Sequence, residues 1–126
     1  MTIDSQARYS KTHEWVRKEG DLWVYGITDH AQEELSDIVY VELPQVGTSF
    51  AKGAVIGVVE SVKAASDLIF PIGGTICAVN ETLGTNPELI NSDPYKAGWI
   101  AKFQPTQPTE WDELLGADEY SQILGE

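Results

Sequence analysis

Short runs of β-branched and aromatic residues alternate with turn residues along most of the chain, and this spacing limits the folds it can adopt. Runs of this length, bounded by glycine, proline or aspartate, are typical of strands in barrels and sandwiches. The segment Lys18-Glu-Gly-Asp between the first two runs is typical of a hairpin turn. The predicted strands are 14–17, 22–27, 37–43, 54–60, 67–70, 74–79 and 99–103. We therefore predict a mainly β fold, either a barrel or a sandwich.

Helix signals are fewer than strand signals. Asp29 is predicted to cap a helix over 29–35, with Gln32 reaching back as in a capping box. Thr109 is likewise predicted to cap the run Thr-Glu-Trp-Asp-Glu-Leu-Leu, and residues 117–124 are predicted to form another helix. We expect these helices to be additions to a β core.

Length and charge restrict the partners that the chain can bind. Its 126 residues fit a single domain, and 42% of them are hydrophobic, which allows a sizeable core. The formal net charge is −12, with 20 acidic residues against 8 basic ones. A field of this sign repels phosphate backbones and anionic membrane surfaces, so no nucleic-acid or membrane partner is expected. It favours partners with basic faces.

Cysteine content and the N-terminal segment indicate a reducing compartment. Cys77 is the single cysteine, and its run Thr-Ile-Cys-Ala-Val-Asn predicts a small core residue on a buried strand. The N-terminal residues lack the apolar stretch of a secretory signal, and no apolar run approaches the ~20 residues of a membrane span. A cytoplasmic protein without transit or signal peptide is therefore expected.

The residue types that self-sufficient enzymes need are scarce in this sequence. Its two histidines, His13 and His30, and one cysteine are too few and too scattered for a metal site, so none is predicted. No nucleophile elbow occurs, and no glycine-rich phosphate loop precedes a helix. We therefore expect no catalytic residues and a non-catalytic protein.

Lys63 differs from the other lysines in its surroundings. It is the only basic residue between Lys52 and Lys96, and it lies where two apolar strands are predicted to meet in a hairpin. Its neighbours Val62 and Ala64 are apolar or small, so little obstructs the approach of another protein. A stiff hairpin that presents one accessible amine is the arrangement that a covalent carrier requires.

The sequence resembles the H-protein family of the glycine cleavage system over nearly its whole length. The run Glu-Ser-Val-Lys-Ala around Lys63 is the most specific feature, and His-Glu-Trp-Val at 13–16 and the Pro-Tyr and Gly-Trp pairs at 94–99 support it. The matching segments are 13–16, 26–32, 37–44, 57–67, 71–74, 79–80, 87–91 and 94–99. One departure is Ser36, which stands where many relatives have glycine at a helix exit.

The resemblance implies that Lys63 carries lipoic acid in amide linkage. It also implies a barrel-sandwich hybrid like that of lipoyl and biotinyl domains, with a lipoyl-like β core over about 22–104 and a C-terminal helical segment over about 109–125. The whole chain, 1–126, is then a single lipoyl-carrier domain.

The resemblance further implies a set of partners. A pyridoxal-phosphate-dependent glycine decarboxylase passes an aminomethyl group to the lipoyl sulfur. A tetrahydrofolate-dependent aminomethyltransferase takes the one-carbon unit, and a dihydrolipoamide dehydrogenase reoxidises the dithiol. A lipoylating enzyme attaches the cofactor beforehand.

Under this interpretation, the aminomethyl cargo is a protonated amine that must be kept from water. A buried ammonium needs an anionic or hydroxyl partner, and Glu14, Asp67 and Thr12 are the candidates. Glu60, on the Lys63 hairpin, is the candidate for recognition by the lipoylating enzyme.

Other functions are compatible with the same residues. A lipoyl or biotinyl domain of a 2-oxo-acid dehydrogenase or carboxylase is one, although such domains usually lack the His-Glu-Trp segment. The others are a relay protein that supplies lipoyl groups to other complexes and an interaction protein with an unmodified lysine. A small hydrolase is the weakest alternative, because the sequence shows no nucleophile–base pair.

Overall fold

Nine strands form two antiparallel sheets within residues 2–125, the part of the chain that this computed structural model describes. The strands are β1 Ala7–Tyr9, β2 Glu14–Glu19, β3 Leu22–Ile27, β4 Ile38–Glu42, β5 Ser49–Phe50, β6 Val55–Ser61, β7 Ala65–Ile69, β8 Gly74–Val79 and β9 Ala101–Pro105. The helices are α1 Asp29–Leu35, α2 Leu89–Ser92 and α3 Ala117–Leu124, with 3₁₀ helices at Glu81–Gly84 and Pro108–Glu113. The prediction of a mainly β fold with short added helices is confirmed.

The two sheets differ in size. The larger has the order β1-β2-β3-β9-β8-β5, and the smaller has the order β4-β6-β7. Strands β6 and β7 pair directly, with Val58 opposite Asp67 and Glu60 opposite Ala65. Lys63 therefore lies at the turn of a hairpin in the smaller sheet, as the sequence predicted.

The main hydrophobic core lies between the sheets and takes side chains from both. Phe70, fully buried, follows β7 and contacts Tyr25 of the larger sheet at 5.7 Å and Phe103 at 4.7 Å between ring centroids. Both ring pairs are edge-to-face, the geometry that aromatic rings prefer in protein interiors. The base of the Lys63 hairpin is thus fixed to the opposite sheet.

A second buried cluster fixes both ends of the chain to the outer side of the larger sheet. Tyr9 of β1 and Tyr120 of α3 stack at 4.4 Å with nearly parallel rings, and both are fully buried. Trp15 and Tyr95 belong to the same cluster. The C-terminal helix is therefore part of the packed structure rather than a loose tail.

Several details differ from the sequence prediction. Strands β1 and β5 were not predicted, because β5 has only two residues and β1 follows a polar N-terminal segment. Thr28, not Asp29, caps α1, since its hydroxyl accepts from the amide of Ala31. Thr109 caps no helix; it lies inside a 3₁₀ helix that has no side-chain cap.

The prediction that Cys77 is buried is wrong. Cys77 is exposed on β8, while its neighbour Ile76 is buried. The larger sheet packs only one face of β8 against the core, so a run of apolar residues does not mean that both faces are buried. No helix within residues 2–125 combines the length and apolarity needed to cross a membrane.

Ser36 ends α1 in a backbone conformation that normally requires glycine. Its φ is 70° and its ψ is −153°, a region that side chains with a Cβ enter only at a cost. The conformation is held by neighbouring contacts, because the Ser36 amide donates to Gln32 O and its carbonyl accepts from the Asn91 side chain.

We predict that Ser36→Gly stabilises the protein by about 1 kcal/mol, because glycine adopts this conformation without steric strain. Ser121→Gly, a matched change inside α3, should instead destabilise it by about 0.5 kcal/mol. Chemical denaturation of both variants measures the two effects, and a Ser36→Gly variant less stable than the parent would contradict the assignment of strain.

Candidate functional site

A tight turn formed by residues 61–64 presents Lys63. The Ser61 amide donates to Ala64 O at 2.8 Å, and the Ser61 hydroxyl accepts from the amides of Lys63 and Ala64 at 3.2 and 3.0 Å. Serine at the first position of a turn commonly forms such bonds, which order the loop locally. The amide of Val62 also donates to Asp37 O, which links the turn to the chain after α1.

The Lys63 amine reaches the C-terminal end of α1. Its Nζ donates to Glu34 O at 2.9 Å and, within residues 2–125, forms no ion pair with a carboxylate. The last carbonyls of a helix lack intrahelical donors and lie at the negative end of the helix dipole, so they attract a cation. The side chain remains exposed, and the amine is therefore oriented without being buried.

A shallow depression of about 280 Å³ lies beside the amine. It is lined by His30, Glu33, Glu34 and Lys63. Three of these residues, His30, Glu33 and Glu34, belong to α1, and His30 Nε2 lies 3.3 Å from a Glu34 carboxylate oxygen. The depression is open to solvent and leaves room for a substituent on the lysine.

Glu14 is a buried carboxyl group at the start of β2. It is only 4% exposed, and both the Ser10 hydroxyl, at 2.6 Å, and the Thr12 hydroxyl donate to its Oε1. Within residues 2–125 no cation is paired with it. Ser10, Thr12 and Glu14 together are called the Glu14 site below.

Burial raises the pKa of Glu14 from 4.5 to about 7, although the hydroxyl groups of Ser10 and Thr12 act in the opposite direction. Near neutral pH the Glu14 site therefore holds a proton or a negative charge in comparable amounts. Burial, and secondly Glu14, also raise the pKa of Tyr25, whose hydroxyl donates to Ile69 O of β7. Tyr25 is thus hydrogen-bonded to β7, the strand that follows Lys63, and senses the charge of Glu14.

The two histidines come together although they are distant in sequence. The rings of His13 and His30 lie 4.3 Å apart, and His13 Nδ1 lies 2.8 Å from the Tyr120 hydroxyl. The pKa of His13 is lowered by burial and by His30, so the ring is mainly neutral. No group of three potential metal ligands occurs in residues 2–125.

Asp67 and Glu60 lie on the smaller sheet. Asp67 is opposite Val58, two residues before Glu60, so both carboxylates are on the same exposed side of the sheet. Neither forms a side-chain hydrogen bond or ion pair within the described residues.

The structure therefore brings together only some of the predicted site residues. Thr12 and Glu14 are in direct contact, Lys63 contacts α1, and Asp67 contacts neither group through a hydrogen bond. Ser10 was missed by the sequence analysis, although its position four residues before Glu14, in a turn, is the signal that could have indicated it.

The comparisons with known proteins agree on one family. Residues 7–126 match the family model described as Glycine cleavage H-protein. The chain is 56% identical to the glycine cleavage system H protein of Methylacidiphilum infernorum over 124 residues, which cover 98% of this chain and 97% of the relative. It is 50% identical to that of Thermus thermophilus over 124 residues, with the same coverage.

A solved structure gives the same result for the fold. The crystal structure of a glycine cleavage system H protein from Mycobacterium marinum superposes with a TM-score of 0.91 and 40% sequence identity. The match covers 98% of this chain and 100% of that one. This similarity confirms the expected barrel-sandwich hybrid.

We predict that the raised pKa of Glu14 makes the protein less stable at neutral pH than at acidic pH. An unfolded glutamic acid ionises near 4.5, so between pH 4.5 and 7 the unfolded chain has lost a proton that the folded protein still binds. The free energy of unfolding should fall by about 2–3 kcal/mol across this window because of Glu14, and this contribution should change little above it.

Urea denaturation from pH 4.5 to 8 measures this effect, and Glu14→Gln should remove it. Glu60→Gln, a matched change at an exposed position, should keep the pH dependence of the parent protein. Parallel curves for the parent and Glu14→Gln would show that the carboxyl group titrates normally.

Proposed function

The chain belongs to the glycine cleavage H-protein family, and on this premise we propose that it carries a lipoyl group on Lys63 and moves the aminomethyl group of glycine between enzymes. The H protein is the lipoyl carrier of the glycine cleavage system. The observation that supports Lys63 as the attachment point is its exposed amine on a fixed turn, held by a single backbone carbonyl. When bound, the lipoyl group supplies a reducible disulfide whose sulfur accepts the cargo.

The residues around Lys63 fit such a group. Val62, Ala64 and Ala65 are all exposed and carry no polar side chain that competes for the amine. Amide formation removes the charge of the amine but leaves one N–H, so the bond to Glu34 O can be retained. Within residues 2–125, a modifying enzyme has to displace one exposed hydrogen bond of the amine.

We assign Thr12, Glu14 and Asp67 to retention of the aminomethyl cargo. The Glu14 site supports this assignment because its carboxyl group is shielded from water, accepts from the neutral hydroxyls of Ser10 and Thr12 and, within residues 2–125, is paired with no cation. An ammonium placed against it gains a charge-assisted hydrogen bond in a low-dielectric environment. Asp67 adds negative charge on the strand that follows Lys63.

The proposal includes a defined set of partners. They are a pyridoxal-phosphate-dependent glycine decarboxylase, a tetrahydrofolate-dependent aminomethyltransferase, a dihydrolipoamide dehydrogenase and a lipoylating enzyme. The chain itself acts as one carrier domain, and the enzymes supply the chemistry. The net charge of −12 favours basic docking surfaces on these enzymes.

A cytoplasmic location forms part of the same proposal. Cys77 is a free, exposed thiol, and this fold therefore uses no internal disulfide. Such a fold suits a reducing compartment.

We predict that Lys63→Arg abolishes lipoylation, because a guanidinium group is not acylated in the same way as an amine. Lys11→Arg, at another exposed lysine, should be modified like the parent protein. Intact mass and peptide mapping after incubation with a lipoylating enzyme and lipoate measure the result.

We expect the lipoylation rate of Glu60→Ala to be at least about threefold lower than that of the parent, because the lipoylating enzyme loses one charge that it recognises. A biotin adduct, or a lipoyl adduct on Lys63→Arg, contradicts the proposal.

We predict that Glu14→Ala shortens the lifetime of the aminomethyl cargo by about tenfold or more, because the ammonium loses a charge-assisted hydrogen bond. Asp67→Ala should have a smaller effect in the same direction. Lipoylated protein is loaded with a glycine decarboxylase and glycine, the enzyme is removed, and intact mass is followed with time. Glu42→Ala removes a carboxylate from the exposed side of the same sheet and should retain the cargo normally. Unchanged lifetimes in both Glu14→Ala and Asp67→Ala reject this retention site.

A further inference from the structure

We propose that Tyr120 of the C-terminal helix is a positioning residue that sets the Glu14 site and α1 relative to each other. This inference rests on the proposed function, because its consequence is better retention of the aminomethyl cargo. It assigns to α3 a role that extends beyond packing the end of the chain.

The hydroxyl of Tyr120 contacts two elements that the functional site uses. It lies 2.8 Å from His13 Nδ1 and 2.8 Å from the hydroxyl of Thr28. His13 directly precedes Glu14, and Thr28 is the N-cap of α1. One buried oxygen atom thus joins the segment that carries Glu14 to the helix whose other end holds Lys63.

The His13 side of this link determines the shape of the Glu14 site. His13 has a φ of 73°, which a residue with a Cβ rarely adopts, and its amide donates to Ser10 O. This turn brings the hydroxyl groups of Ser10 and Thr12 onto the Glu14 carboxyl group. A backbone held in this region needs outside contacts to persist, and the bond from Tyr120 supplies one to the side chain.

The Thr28 side of the link determines where α1 begins. The Thr28 hydroxyl accepts from the amide of Ala31, and the Thr28 amide donates to His13 O. A neutral His13 ring with its proton on Nε2 allows a continuous chain of donors. Ala31 N–H donates to Thr28, the Thr28 hydroxyl to Tyr120, and the Tyr120 hydroxyl to His13. Every member of this chain is satisfied, and such networks hold a single geometry.

Tyr9 offers a matched control for Tyr120. The two rings stack on each other and both are fully buried, so replacing either with phenylalanine removes one hydroxyl from the same aromatic pair. The Tyr9 hydroxyl, however, donates to the backbone carbonyl of Asp4 and reaches neither His13 nor Thr28. Both changes cost stability, but only one of them alters the link.

The experiment compares Tyr120→Phe and Tyr9→Phe in lipoylated, cargo-loaded protein. Tyr120→Phe should shorten the lifetime of the cargo about fivefold, the effect of one ordinary hydrogen bond, whereas Tyr9→Phe should stay within about twofold of the parent. In the unmodified protein, carboxyl NMR titration should show that the midpoint of Glu14 moves towards its ordinary value in Tyr120→Phe and not in Tyr9→Phe. Equal lifetimes and equal midpoints for the two variants would overturn the proposal.

A second pair of variants covers the case in which Tyr120→Phe folds poorly. Thr28→Ser keeps the hydroxyl and should retain the cargo. Thr28→Val keeps the side-chain volume but loses the hydroxyl, and it should release the cargo faster. Equal cargo lifetimes for these two variants also overturn the proposed role of Tyr120.

Glu14→Ala, measured in the same series, separates this proposal from the proposed retention site. If Glu14→Ala and Asp67→Ala both keep the parent lifetime, the retention site itself is wrong. If Glu14→Ala shortens the lifetime and Tyr120→Phe has the same lifetime as Tyr9→Phe, only the role of Tyr120 is wrong.

Discussion

The burial of Phe70 between the two sheets is the interaction on which the presentation of Lys63 depends. An isolated two-stranded hairpin is at best marginally stable in water, so β6 and β7 need support from β4, which pairs with β6, and from the opposite sheet. Phe70 provides the contact with the opposite sheet at the base, where its amide donates to Ala54 O and its carbonyl accepts from Gly53 N. Burying the phenylalanine side chain contributes about 2–3 kcal/mol. The turn at the other end can therefore remain exposed and still hold one conformation.

This division between a buried base and an exposed tip also explains the composition of the hairpin. Leu68 and Phe70 are buried, whereas the residues from Val62 to Asp67 are all exposed. The tip obtains its order from local hydrogen bonds to the Ser61 hydroxyl rather than from apolar contacts. Because the order of the tip does not depend on apolar packing, a partner enzyme can surround it without disrupting buried contacts.

Much of the fold could be predicted from the sequence because local patterns determine it. The strands 22–27 and 74–79 were predicted with the bounds that the structure shows, since runs of β-branched and aromatic residues end there at turn residues. The exposure of Cys77 could not be predicted in the same way. It depends on which face of β8 meets the other sheet, and a run of apolar residues does not encode that choice.

The functional site likewise combines contacts between residues close in sequence, which could be predicted, with contacts between distant residues, which could not. Lys63 and its turn are local, and so is the contact between Thr12 and Glu14, which are two residues apart. The contact between His13 and Tyr120 joins residues 107 positions apart, and the contact between Thr28 and Tyr120 joins residues 92 apart. No spacing rule connects such residues, because only the packing of α3 against the larger sheet brings them together.

Glu14 shows how a site can reduce the stability of the protein that contains it. Its carboxyl group is buried and, within residues 2–125, is paired with no cation; burial raises its pKa, although its two hydroxyl partners act in the opposite direction. A built-in lysine or arginine partner would stabilise the charge, but it would also occupy the position that an ammonium cargo needs. Under the proposed function, the missing charge is supplied by the cargo. The same carboxylate then distinguishes a cationic cargo from an uncharged group, since only the cation gains from its burial.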